Sequence, residues 1–268
     1  MSSVRAWIDR HSVLVFALVA CVFSWSLWAL MLRYLGRIHW LAAFGPSLAA
    51  VLIVAITRGR SGLGALLRPL GRWRFGILWY ALILLGSILV MLLGVWIYSR
   101  FAVRVVLPRE IVLGVLRQIL PYLPLILLIG GPLGEEIGWR GFLLPHFLER
   151  RSPLISSLLV ALFWFVWRLP LLLLPGTDQP VLGVVSNALF IAGWSVLFTW
   201  IYLGTKRSLL AMLLLYTCIN TFQLFMSGAA TAEPNLLMLG YAVAAALAAI
   251  NVAAIDKRMT EKPGAAAK

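Results

Sequence analysis

The chain has 268 residues, of which 62% are hydrophobic and 12% are charged, and its formal net charge is +14 at pH 7. Charged residues make up about 25% of a typical soluble domain, so this composition excludes an ordinary soluble fold. Most Lys and Arg residues lie between apolar blocks, where they orient a membrane protein and meet anionic headgroups. Because no stretch combines basic with aromatic residues on a polar surface, we expect no nucleic-acid partner.

The apolar blocks are about 20 residues long, the length that crosses a hydrocarbon core of about 30 Å. They predict an all-α, polytopic transmembrane bundle of about eight spans. The predicted spans are 12–32, 39–57, 75–98, 118–137, 154–174, 181–203, 208–227 and 236–255. The first resembles a retained signal anchor, since it exceeds a signal-peptide core in length. We expect residues 1–256 to form a single transmembrane domain and 257–268 to be a disordered cytoplasmic tail.

The distribution of basic residues predicts the orientation of these spans. The N-terminus, the second, fourth and sixth connections and the tail contain fifteen Lys and Arg residues, whereas the connections on the opposite side contain six. The positive-inside rule therefore places both termini in the cytoplasm. We expect a multi-pass protein of the cytoplasmic (plasma) membrane, with membrane lipids among its partners. The pattern carries no signal for an oligomeric state.

Charged residues inside a span each cost about 2.5–3.5 kcal/mol at the helix centre, so they mark candidate sites. The segment 130–145, GGPLGEEIGWRGFLLP, places Glu135, Glu136 and Arg140 at the end of an apolar span. Glu136 and Arg140 are four residues apart and share a helix face, whereas Glu135 points away from that face. The glycines around Pro132 permit a kink and a close helix approach. An acidic pair of this kind could polarise a water or bind a metal, and the alternative is a helix-end salt bridge.

Two later spans also contain polar residues. Arg168 lies in the middle of the fifth span, in WFVWRLP, and a lone intramembrane Arg almost always faces a partner. Tyr216 and Asn220 lie on one face of the seventh span, and an intramembrane Asn usually joins two helices. Because all these polar groups need partners in an apolar bundle, we expect them to meet in one cavity between the fourth, fifth and seventh spans.

These three segments resemble the motifs of the CAAX-protease and bacteriocin-processing (CPBP) family, whose members are type II CAAX prenyl endopeptidase-like intramembrane proteases. GEEIGWRG is similar to the first motif, EExxxR. WFVWRLP, at 164–170, is similar to the second motif, FxxxH followed by LP. YTCINT, at 216–221, is similar to the third, HxxINT. The resemblance covers a motif-bearing core of about 40–225.

The resemblance implies that a Glu activates water, helped by two His and an Asn that bind a divalent metal such as zinc or stabilise an oxyanion. The residues that would carry this chemistry here are Glu135, Glu136, Arg140, Asn220, Arg168 and Tyr216. Arg168 and Tyr216 stand where the family has His. A guanidinium cannot ligate a metal, and Tyr is a poor substitute for imidazole at a zinc site. We therefore expect neither a metal nor another cofactor.

Three functions remain open at this point. The first is an intramembrane endopeptidase that cleaves a membrane-anchored or lipidated peptide with Glu-activated water. The second is a catalytically inactive pseudoprotease that binds or scaffolds membrane proteins, and the third is a small transporter subunit, which leaves the three motifs unexplained. The role of Arg168 is also open. It is either a counter-ion held by Glu135 and Glu136 or an oxyanion donor that acts with the Tyr216 hydroxyl.

Overall fold

The structure is a computed structural model that describes residues 3–30, 39–101, 123–129, 131–173, 181–228 and 234–261. Within these ranges the secondary structure is helical and contains no strand. In chain order the α-helices are α1 Ser3–Arg10, α2 Ser12–Leu30, α3 Gly45–Leu67, α4 Ile77–Ala81, α5 Ser87–Phe101, α6 Pro132–Glu136, α7 Leu144–Leu148, α8 Pro153–Leu173, α9 Val181–Gly204, α10 Leu209–Gly228 and α11 Pro234–Ile255. Residues 123–129 are also helical. The π-helices Leu82–Gly86 and Ile137–Leu143 join α4 to α5 and α6 to α7.

Seven helical segments in the described part of the chain are long and apolar enough to cross a membrane. They are Ser12–Leu30, Leu41–Gly71, Ile77–Phe101, Pro153–Leu172, Leu182–Gly204, Leu209–Met226 and Asn235–Ile255. They correspond to seven of the eight predicted spans and confirm a polytopic helical bundle. The predicted fourth span, 118–137, begins outside the described residues, and α6 forms its described end.

The second span differs from its predicted end at residue 57. Helix α3 continues to Leu67 through a kink at Gly59, whose backbone has φ 63° and ψ −152°. Hydropathy falls at this point because Arg58 and Arg60 interrupt the apolar run, yet the backbone remains helical on both sides of the kink. The predicted connection between the second and third spans is therefore largely helical.

The N-terminal helix and two basic connections lie at one end of the bundle. The Arg5 guanidinium donates to the Thr57 carbonyl oxygen near the kink of α3. Further along the same connection, Arg72 Nη1 donates to the Lys206 carbonyl oxygen at 2.7 Å. The second and sixth connections and the N-terminus therefore share one end, which the positive-inside count requires. That this end faces the cytoplasm remains a prediction.

The chain remains ordered just after α11. Residues Lys257–Met259 form a 3-10 turn, and the Asp256 side chain accepts a hydrogen bond from the Arg258 backbone N–H at 3.1 Å. Trp200 Nε1 donates to Asp256 Oδ2 at 3.1 Å, and the Met259 side chain is buried. The side-chain hydrogen bond from Arg258 holds the pKa of Asp256 below its usual value. The predicted disordered tail, 257–268, differs from the structure at this ordered start, and its last seven residues lie outside the described part.

Small residues bring the helices close together. A β-carbon added to Gly94 on α5 would lie 2.8 Å from the Tyr241 Cα on α11. A β-carbon added to Gly193 on α9 would lie 2.8 Å from the Ala245 carbonyl carbon, also on α11. Helices in a membrane associate through such close packing, since lipid offers no hydrophobic driving force between them. Helix α11 is thereby fixed against both α5 and α9.

Candidate active site

The first motif lies on α6 and on the π-helix that follows it. The chain enters α6 at Gly131, whose φ of 109° suits glycine, and Pro132 follows at the start of the helix. The π-helix Ile137–Leu143 begins directly after Glu136. Such π-helical segments are rare and occur frequently at functional sites. Glu135 and Glu136 therefore stand where a regular α-helix gives way to a wider one.

Two glycines of this segment allow it to touch the backbone near the start of α3. A β-carbon added to Gly134 would lie 2.6 Å from the Ala43 carbonyl oxygen. A β-carbon added to Gly138 would lie 2.5 Å from the Pro46 carbonyl carbon. These contacts confirm the close helix approach expected from the glycines of the motif. They fix the position of the acidic residues relative to the rest of the bundle.

Glu135 accepts hydrogen bonds from three different segments of the chain and is only 4% exposed. The Tyr216 hydroxyl, on α10, donates to Oε1 at 2.9 Å. Trp164 Nε1, on α8, donates to Oε2 at 2.7 Å. Trp139 Nε1, on the π-helix, makes a longer bond of 3.4 Å to the same oxygen. An ionised carboxylate has about four acceptor positions, so these three donors occupy most of them.

Glu136 forms an ion pair with Arg140 inside the bundle. Arg140 Nη1 donates to Glu136 Oε1 at 2.7 Å, and both side chains are 0% exposed. The Arg140 guanidinium lies 4.0 Å from the Phe198 ring centroid and 4.7 Å from that of Trp164. Aromatic faces attract cations in this geometry. The expected shared face of Glu136 and Arg140 is confirmed, and Arg140 neutralises the charge of Glu136.

Trp164 is the residue that contacts both charges. Its indole N–H points at Glu135, while its ring face carries the Arg140 guanidinium. The ring also packs edge-to-face against Tyr216, with centroids 5.6 Å apart. Trp164 is almost fully buried, so its orientation is fixed by these contacts. Trp164, which belongs to the second motif, therefore fixes the positions of Glu135 and Arg140 relative to each other.

Asn220 lies one turn beyond Tyr216 on α10 and approaches the same carboxylate. A β-carbon added to Gly131 would lie 2.9 Å from Glu135 Oε1 and 3.8 Å from Asn220 Nδ2. The amide and the carboxylate therefore flank one glycine. Because glycine has no side chain, it leaves the space between them open.

Arg168 lies at the edge of the cluster rather than inside it. Its side chain is half-buried on α8, where its charge attracts Glu135 through space. Across the described ranges it forms no ion pair with a carboxylate. Arg168 is therefore not in a direct ion pair with Glu135 or Glu136, and its role as their counter-ion through space stays a prediction. Trp164 makes the contact with Glu135 from α8, and Arg140 is the cation that pairs with Glu136.

The structure thus brings the predicted site residues together, with Arg168 at the margin. The sequence assigned no role to Trp139, Trp164 or Phe198. A signal for two of them was present, because Trp139 follows Glu135 by four residues and Trp164 stands where the family motif has Phe. Phe198 lies on α9, in a segment without a motif, and only tertiary packing identifies it.

The donor set does not fit a zinc ion. Structural and catalytic zinc sites use His, Cys and carboxylate ligands, and Arg168 and Tyr216 stand at the two His positions of the family. Both oxygens of Glu135 already accept hydrogen bonds, and Glu136 is paired with Arg140. Among the residues that the structure describes, no three His, Cys, Asp or Glu side chains form a group able to hold a metal.

The fold and the site define a multi-pass helical membrane protein whose buried acidic cluster is built from separate helices. Residues 117–222 match the family of type II CAAX prenyl endopeptidases that are Rce1-like. A CAAX prenyl protease 2 from Methanococcus maripaludis is 26% identical over 121 residues, which are 42% of this chain and 44% of that protein. The match thus spans less than half of that relative's length. In these two comparisons, and in the three motif segments that meet at Glu135, the chain is similar to the CAAX-protease family.

Proposed function

We propose that this protein is an intramembrane endopeptidase of the cytoplasmic (plasma) membrane that cleaves a membrane-anchored or lipidated peptide. The observation that supports this most directly is the convergence on Glu135. Trp164 and Tyr216, which are 29 and 81 residues away in the chain, both donate hydrogen bonds to that carboxylate. Three segments that resemble the motifs of a peptidase family therefore share one acidic group.

In this proposal Glu135 is the general base. Its three donors leave about one acceptor position for a water molecule. The oxygen of that water attacks the peptide carbonyl carbon while Glu135 takes its proton, and the C–N bond breaks as the proton passes to the leaving amine. Arg168, whose charge acts on Glu135, and the Asn220 amide, which lies beside Gly131, are the candidate donors to the oxyanion formed in between. No step uses a metal.

A second candidate function is binding of the same peptides without cleavage. It is supported by the same hydrogen bonds, because lone pairs of Glu135 that accept from Trp139, Trp164 and Tyr216 are unavailable to water. Tryptophan and tyrosine donate but do not shuttle protons near neutral pH as histidine does. The two candidates differ only in whether water reaches the remaining acceptor position.

A cleavage assay on a fluorescent prenylated peptide in proteoliposomes separates these functions. If Glu135 is the base, Glu135→Gln should lower the rate by about 100-fold or more. The matched control is Glu149→Gln, since Glu149 is an exposed carboxylate on the turn after α7. Peptide binding, measured by fluorescence anisotropy, should be similar in both variants. Saturable binding by the wild type without cleavage would establish the second function, and equal activity in both variants would refute the role of Glu135.

A further inference from the structure

A cationic pocket lies at the end of the bundle, between the connection before α4 and the connection from α9 to α10. Its volume is about 440 Å³, and Arg72, Arg74 and Lys206 line it together with Trp73 and Thr205. The three basic side chains are exposed. Throughout the described residues, none of them forms an ion pair with a carboxylate. A pocket with several cations and no acidic partner favours an anionic ligand.

Hydrogen bonds between the two connections hold this pocket in shape. Arg72 Nη1 donates to the Lys206 carbonyl oxygen at 2.7 Å, and Ser208 Oγ donates to the Arg72 carbonyl oxygen at 2.6 Å. The Tyr80 hydroxyl donates to the Trp73 carbonyl oxygen at 2.8 Å. The pocket is therefore preorganised, which lowers the entropy that a ligand must overcome on binding.

The backbone after α9 keeps basic residues in a conformation that favours glycine. Lys206 has φ 56° and Arg207 has φ 61°, both in the left-handed region. Helices commonly end on a glycine in this conformation, and a side chain there raises its cost. Residues held in such conformations cluster at functional sites. Two consecutive cations therefore occupy positions where the local geometry alone would select glycine.

The position of the pocket relative to the candidate spans identifies the kind of anion. Four spans begin or end beside it, namely Leu41–Gly71, Ile77–Phe101, Leu182–Gly204 and Leu209–Met226. The ends of spans lie at the level of the lipid headgroups. Immediately along α4, Ile77 is 84% exposed and Leu78 is 68% exposed. A cationic pocket thus adjoins an apolar surface, and the two together match the phosphate and the acyl chain of a phospholipid.

We propose that this pocket is a binding site for an anionic phospholipid, with the phosphate against Arg72, Arg74 and Lys206 and an acyl chain along Ile77 and Leu78. Each basic residue near an anionic headgroup changes affinity by about fivefold, so three of them distinguish an anionic from a zwitterionic lipid. The proposal is independent of the peptidase function, because none of these residues contacts the Glu135 cluster.

Native mass spectrometry of the full chain, released from detergent with defined amounts of phosphatidylglycerol or phosphatidylcholine of equal acyl length, tests this site. The wild type should retain one phosphatidylglycerol in preference to phosphatidylcholine. In Arg74→Gln/Lys206→Gln, the affinity for phosphatidylglycerol should fall by about 25-fold, since two charges are removed. The matched control is Arg150→Gln/Arg151→Gln, which removes two exposed cations from the connection between α7 and α8 and should keep the wild-type affinity.

Equal losses in both double variants, or no loss in either, would overturn the proposal in favour of unspecific attraction to the whole basic surface. Inorganic phosphate in place of lipid identifies the source of the anion, and retention of phosphate with no preference for phosphatidylglycerol would overturn the lipid assignment. A third variant, Lys206→Gly, guards against misfolding. It should raise the melting temperature of the lipid-free protein by relieving the left-handed conformation, while still weakening phosphatidylglycerol binding.

Discussion

Trp164 offers a sharp test of how the buried carboxylate is held, because the chain contains a matched partner for it. The variant Trp164→Phe removes the indole N–H that donates to Glu135 at 2.7 Å and keeps an aromatic ring in place. Trp167→Phe makes the same change one turn further along α8. Trp167 is equally buried, but its Nε1 has no hydrogen-bond partner among the described residues. The two variants lose the same volume, but only Trp164→Phe loses a hydrogen bond.

The difference between the two variants follows from that bond. A hydrogen bond to a charged group contributes about 1.5–3 kcal/mol to stability, and the volume lost is common to both variants. The attraction between Arg140 and aromatic rings should persist in Trp164→Phe, since Phe198 lies closer, at 4.0 Å. One kcal/mol changes the melting temperature of a chain of this size by about 2–4 °C. Trp164→Phe should therefore melt roughly 3–12 °C below Trp167→Phe.

The assay is thermal unfolding in detergent, followed by the reactivity of a thiol probe with Cys21 and Cys218 so that the changed Trp does not alter the signal. The same comparison in the Glu135→Gln background completes the test, because a neutral amide weakens the hydrogen bond that Trp164 donates to this side chain. The loss caused by Trp164→Phe should shrink in that background. Equal melting temperatures for Trp164→Phe and Trp167→Phe would refute the argument that the indole N–H stabilises Glu135.

Three further predictions concern the ions and the packing. Arg140→Ala leaves Glu136 buried and unpaired, so it should lower the stability by about 3–5 kcal/mol. Arg168→Ala removes a half-buried cation that forms no ion pair, so it should lower the stability by less than about 1 kcal/mol. Equal losses of melting temperature in the two variants would contradict this ranking. Elemental analysis of the purified protein should find no stoichiometric zinc, and one zinc per chain that is lost in Glu135→Gln would show that Glu135 does ligate the metal. Gly94→Ala should destabilise the protein by about 1–3 kcal/mol, because the new methyl group meets the Tyr241 backbone. The control Gly86→Ala should not destabilise the protein, because the added methyl group meets no atom within 4 Å. Similar melting temperatures for the two variants would exclude a tight contact between α5 and α11.

The spans were predictable because their physical cause is local. A membrane-crossing helix needs a run of apolar residues of fixed length, and that run is visible in the sequence itself. The predicted spans 154–174 and 181–203 accordingly differ from α8 and α9 by one residue at their ends. The end of α3 was missed, because Arg58 and Arg60 lower the hydropathy without ending the helix. Hydropathy describes the surroundings of a helix, whereas hydrogen bonding decides where it ends.

The candidate site was predictable in its membership and not in its contacts between helices. The motif pattern and the cost of burying polar groups indicated that Glu135, Tyr216 and Asn220 belong together. The four-residue spacing indicated that Glu136 and Arg140 share a helix face, and the structure pairs them. The sequence could not indicate which side chains of other helices donate to Glu135, because that depends on the rotation of each helix about its own axis. Tertiary packing places Trp164 and Tyr216 against Glu135 and leaves Arg168 at the margin.

Because the π-helix Ile137–Leu143 follows Glu136, the motif depends on the number of residues in this segment as well as on their side chains. An α-helix turns about 100° per residue, so deleting Gly141 would rotate all that follows by about that angle. Leu144 and Leu148, which are buried on α7, would then face away from the core, although Glu135, Glu136 and Arg140 precede the deletion. Such a chain would keep the letters of the EExxxR motif and lose the packing that supports it. A sequence can therefore satisfy the motif and still fail to build the site.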